Sequence, residues 1–101
     1  MNPCEKIVKM ESILDRHQAL IDQLNQLLDD FELSQKEYHA LRDYYSSAQF
    51  LEDVRMSNEN LLPSDLKCGV LSEDAVFDLI GDNFNTAVRM LELATDIIKK
   101  H

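Results

Sequence analysis

The stretch "IVKMESILDRHQALIDQLNQLLDDF", Ile7 to Phe31, decides the fold. Apolar residues recur at Ile7, Met10, Leu14, Ile21, Leu24, Leu28 and Phe31, in steps of three and four with His17 in the intervening slot. That is the period of an amphipathic helix. Working outward, neither Gly nor Pro interrupts the chain between Pro3 and Ser46, so one long helix is expected from Pro3 to about Ser46. Pro3 suits a first helical turn, where its missing N–H has no intrahelical partner. At ~1.5 Å per residue such a helix runs to roughly 60 Å, more than the rest of so short a chain can cover.

A second apolar line, Ile13, Leu20 and Leu27, lies one position before Leu14, Ile21 and Leu28. Three apolar positions in seven make too wide a stripe for a plain two-stranded seam, which uses two, so the helix is expected to meet more than one neighbour in a bundle. After Phe31 the pattern falters at Ser34 and Gln35 before Tyr38, Leu41 and Tyr45 resume it, which implies a local bend or a change of partner.

The segment "SSAQFLEDVRMSNENLLP", Ser46 to Pro63, reads as a short helix capped by Ser46 or Ser47, with Phe50, Leu51 and Val54 inward and an end near Ser57 to Asn60. Pro63 disfavours helix at Leu62, and Ser64 and Asp65 can open a turn that closes at Gly69.

The last helix begins after "CGVLSED", Cys68 to Asp74. Ser72 has the composition of an N-cap, Glu73 and Asp74 put negative charge in the first turn, and Lys99 and Lys100 put positive charge in the last. Leu71 and Val76 stand at the two positions of a hydrophobic staple, and Gly69 offers positive φ before the helix entry. Gly69, Leu71, Ser72 and Val76 are thus expected to form a structural corner. Val76, Ile80, Phe84, Ala87, Leu91, Ala94 and Ile98 share one face of this helix, and Gly81 within it costs ~1 kcal/mol relative to Ala unless a close approach or kink uses the missing side chain.

Bulk properties narrow the function. The chain has 101 residues, enough for one helical domain over 1–101, with 45% hydrophobic and 29% charged residues. Its net charge of −9 opposes nucleic acid and anionic membrane surfaces. The acid excess is spread along the chain, which fits solubility better than mimicry of a nucleic acid. Cys4 and Cys68 match no metal or redox spacing, and no stretch is long and apolar enough for a signal peptide or a bilayer span. A reducing, cytoplasmic setting with two free thiols is expected.

Three segments, "RDYYSS" (Arg42–Ser47), "LPSDLKCGVLSEDAVFDLI" (Leu62–Ile80) and "RMLELATDIIK" (Arg89–Lys99), resemble a bacterial family known as domain of unknown function 4298. The resemblance runs over nearly the whole chain, with Cys68 and Gly81 as departures. It implies a compact helical protein and brings no activity, substrate or catalytic residue with it.

The residues themselves offer little chemistry. An anion at Gly69 to Asp74 would be repelled by Glu73 and Asp74, and the same acids oppose a Cys68 thiolate. His39 and Asp43 are spaced to pinch a metal but are too few to hold one, and paired Glu-x-x-His elements are absent. Adjacent acids such as Asp29 and Asp30 point in different directions and suit solvent, not shared acid–base work. No enzyme, cofactor or metal site is expected. Tyr38, Tyr44, Tyr45 and Phe50 are more suggestive, because consecutive tyrosines on a helix cannot both face one core.

The expectation is an all-α, antiparallel helical bundle of two long helices joined by a short helix and a capped turn. Its role is a protein-interaction or structural module, self-associating as a homodimer, with an interaction surface at Ile13, Leu20, Leu27, Tyr38, Tyr44, Tyr45 and Phe50. An acidic regulatory decoy that occupies a basic or nucleic-acid-binding protein is the alternative.

Overall fold

A computed structural model describes residues 2–101. Three α-helices and one 3₁₀ turn make up the regular structure, and no strand occurs among the described residues, so the fold is all-α. Helix α1 spans Pro3–Tyr45, α2 spans Ala48–Asn58, a 3₁₀ turn covers Gly69–Leu71 and α3 spans Ala75–Lys100. The chain divides into two units, one ending at Tyr38 and the other His39–His101, with α1 running from the first into the second.

The first unit is helix alone. Asn2 caps it: its Oδ1 accepts from the Glu5 N–H at 2.9 Å, and its carbonyl accepts from the Lys6 N–H at 3.0 Å. Pro3 follows as the first helical residue, where its lack of a donor costs nothing. The helix continues unbroken through Ser34 and Gln35, since a weakened apolar pattern removes packing without removing backbone hydrogen bonds. The polar side carries i,i+4 pairs, Gln18 Nε2 to Asp22 and Gln26 Nε2 to Asp30, both at 3.1 Å.

The second unit is built around a tight turn and a corner. Between α1 and α2, Ser47 sits in extended backbone geometry; its Oγ accepts from the Phe50 N–H at 3.2 Å and donates to the Tyr44 carbonyl at 2.6 Å. One hydroxyl therefore caps the start of α2 and satisfies a carbonyl at the end of α1. Phe50 is buried under the rings of Tyr44 and Tyr45, with centroids 5.5 and 5.0 Å away in edge-to-face arrangements. Val54 is half-buried, but Leu51, expected inward, is 70% exposed. The apolar side of α2 is narrower than its composition suggests: a helix of 11 residues with Phe50 centred on the core turns the next position away.

Helix α2 ends at Asn58 with Glu59 as its C-cap, and Asn60 just beyond has positive φ (58°). The Leu61 N–H donates to the Met56 carbonyl at 2.9 Å and the Asn60 N–H to Ser57 at 3.1 Å, the paired bonds of a left-handed helix stop. Pro63 opens a turn closed by the Leu66 N–H at 3.1 Å.

The corner departs from expectation at Gly69. Its φ is not positive, and it begins the 3₁₀ turn, whose bonds run from the Leu71 N–H to Cys68 and from the Ser72 N–H to Gly69. A right-handed turn needs no left-handed residue, so glycine is permitted at this position without being required. Ser72 is extended (φ −67°, ψ 157°), and its Oγ accepts from the Ala75 N–H at 3.2 Å. Regular helix starts at Ala75, slightly later than a Ser72 cap implies, because Asp74 is only partly helical and makes no side-chain cap bond. Val76 is the most buried residue described, at 2% exposure, while Leu71 and Ile80 are half-buried.

Candidate interaction surface

The apolar stripe on α1 has two properties, periodicity and exposure. Helical geometry puts Ile7, Leu14, Ile21 and Leu28 on one line, Leu24 beside it, and Ile13, Leu20 and Leu27 on the adjoining line. All eight lie between 40% and 64% exposed, and α1 has no buried residue. His17 is also exposed, with Ile13, Leu14, Leu20 and Ile21 as its helical neighbours on both sides. Leucines and isoleucines at these positions, unlike scattered surface apolars, form one contiguous strip.

The aromatic candidates are placed differently. Tyr38, Tyr44 and Tyr45 are half-buried, whereas Phe50 is buried and belongs to the interior of the second unit. Its ring packs edge-to-face against both tyrosines, which leaves it 8% exposed. Tyr44 OH donates to Asp53 Oδ2 at 2.5 Å, while Gln49 Nε2 donates to Oδ1 of the same carboxylate at 2.7 Å. The hydrogen bond to Asp53, helped by desolvation and by the carboxylate charge, raises the Tyr44 phenol above its ordinary range. Sequence reading did not find Asp53, because its pairing with Tyr44 spans a turn and leaves no periodic trace. The α2 surface carries Arg55 between Glu52 (2.6 Å) and Glu59. Hydrogen bonding to Arg55 lowers the Glu52 carboxyl and raises the guanidinium in turn.

Among the hollows of the second unit, two adjoin α2. A groove of about 530 Å³ is lined by Tyr45, Phe50, Leu51, Val54, Asn58, Leu71, Ser72 and Glu73. A smaller one of about 280 Å³ is lined by Tyr44, Asp53, Leu62, Leu66, Lys67, Cys68, Val70 and Leu71. Neither gathers a catalytic constellation: Ser72 is occupied as a helix cap, and Tyr44 and Asp53 bond each other. Cys4 is a free, exposed thiol and Cys68 a free, half-buried one. No group of three or more His, Cys, Asp or Glu is arranged to hold a metal among the described residues, His39 and Asp43 included. Among the described residues, no helix is long and apolar enough to cross a membrane.

No curated protein matches the chain. The sequence profile of the family described as "Domain of unknown function (DUF4298)" matches residues 7–93, from the first residue of the apolar stripe to the last third of α3. The chain belongs to this family.

Proposed function

We propose that this protein is a non-enzymatic helical interaction module that associates with a second copy of itself through α1. The exposed strip from Ile7 to Leu28 carries the reading. Fully burying a Leu or Ile side chain is worth about 1.5–3 kcal/mol, so a half-exposed one has about 1 kcal/mol still to gain. Eight such residues on each of two copies supply on the order of 16 kcal/mol, against roughly 4–15 kcal/mol lost on association. The balance, about 1–12 kcal/mol, favours pairing. Two free thiols suit a cytoplasmic setting. An acidic decoy is less well supported, since the negative charge is dispersed along the chain.

The test compares two charge insertions on α1. Leu20→Glu lies in the middle of the strip, whereas Leu33→Glu is as exposed (64%) but off it. Light scattering coupled to gel filtration should give a monomer for Leu20→Glu and a dimer for both Leu33→Glu and the wild type. A wild-type monomer would refute self-association, and equal effects of the two variants would refute the strip as its site.

A further inference from the structure

Building on the self-association reading, we infer that the two α1 helices pair antiparallel in a single register, with the two-fold axis at the level of Ala19, Leu20 and His17 flanking it, and that protonation of His17 loosens the pair. The inference starts from the spacing. Lines of a seam repeat every seven residues, and in an antiparallel pair each residue of one line meets one of the other. Matching Ile7 with the second copy's Phe31 also matches Met10 with Leu28, Leu14 with Leu24 and His17 with Ile21, so every layer of the stripe is used. In that register the flanking line is symmetric too, staggered from the layers by one residue on each chain: the two Leu20 side chains flank the axis at the level of Ala19, and Ile13 lies beside Leu27. The three-residue line thus has a place in the pair, where a plain two-line seam leaves it outside.

Charge selects the same orientation. From Pro3 to Leu20, Lys6, Lys9 and Arg16 balance Glu5, Glu11 and Asp15. From Ile21 to Tyr38, Asp22, Asp29, Asp30, Glu32 and Glu37 face only Lys36. A parallel pair stacks the acidic halves on each other. The antiparallel pair brings Lys6, Lys9 and Arg16 to the level of Glu32, Asp29 and Asp22 of the second copy.

His17 is the one titratable residue on the stripe between Ile7 and Phe31. Its neighbours on its own helix are Ile13, Leu14, Leu20 and Ile21, and from the second copy it faces Ile21, with the other His17 one layer away. Arg16 and Asp22 of both copies lie on the outer side. No carboxylate is placed to receive an imidazolium, so the pair favours the neutral ring. Protonation favours separate chains, and association weakens as pH falls through the range in which imidazoles gain charge.

Cys4 is a native reporter of orientation, because it is free, exposed and at the start of α1. In the antiparallel register it flanks Glu32 of the second copy and lies far from the other Cys4. In Cys68→Ser, mild oxidation should give no covalent dimer, and adding Glu32→Cys should produce one. Covalent dimer from Cys68→Ser alone would establish a parallel pair and overturn the inference. Sedimentation of the reduced wild type should show a dissociation constant about 10- to 100-fold higher near pH 5.5 than near pH 7.5, with His17→Leu flat across that range. A wild-type dimer indifferent to pH, or tighter at low pH, would overturn the role of His17 while leaving self-association standing. A wild-type monomer near pH 7.5 would remove both.

Discussion

Asn60 and Gly69 exchange the roles that their side chains suggest. Glycine is the residue expected at a left-handed position, yet Asn60 holds φ 58° and Gly69 does not have positive φ. Gly69 also has no atom within 4 Å of where a Cβ would stand. Gly69→Ala should therefore stabilise by about 0.5 kcal/mol through the unfolded chain, whereas Asn60→Ala should cost about 1 kcal/mol and Asn60→Gly close to nothing. Denaturant midpoints of the three variants check this ordering. Ser72→Ala should cost about 1 kcal/mol, because the bond from the Ala75 N–H has no substitute acceptor there. At Tyr44, the phenol is raised in the folded state by its bond to Asp53. That contribution is fully present below the ordinary phenol range and is lost as pH rises through the raised folded value. Stability should fall above about pH 10 more steeply in the wild type than in Tyr44→Phe, as followed by alkaline denaturation. Capping residues such as Ser47 and Ser72 are legible in sequence because their chemistry is local. The Tyr44–Asp53 bond and the helix stop at Asn60 depend on how the chain folds back, and composition does not record that.

Helices were more legible than turns, for a physical reason. Helix α1 ends at Tyr45, within a residue of where the sequence places it, because an uninterrupted pattern without Gly or Pro leaves the backbone one favourable solution. Helix α2 is likewise fixed by its Ser47 cap and its last polar residues, but the exposure of Leu51 shows that a short helix can bury fewer apolar residues than it contains. Helix α3 keeps its expected apolar face, of which Val76 is buried and Ile80 half-buried, while Phe84, Leu91 and Ile98 are exposed. Gly81 lies inside α3 with open space where a Cβ would be. Gly81→Ala should stabilise the protein by about 1 kcal/mol, the helix-propensity difference, as measured by thermal or denaturant unfolding. A loss of stability instead would mean that another helix approaches closely at that point.

For the molecule as a whole, the exposed strip on α1 is what supports the proposed contact role. Of the residues expected on a contact surface, Ile13, Leu20 and Leu27 are exposed, whereas Phe50 is buried beside Tyr44 and Tyr45. Aromatic residues close in sequence signal a cluster, but which ring is inside is decided by tertiary packing. Sedimentation equilibrium of the reduced full chain at micromolar concentration tests the central claim most directly. Self-association through α1 predicts a mass twice the 11.7 kDa of one chain, reverting to one chain's mass in Leu20→Glu. A well-folded wild-type protein that stays at 11.7 kDa across that concentration range would contradict it.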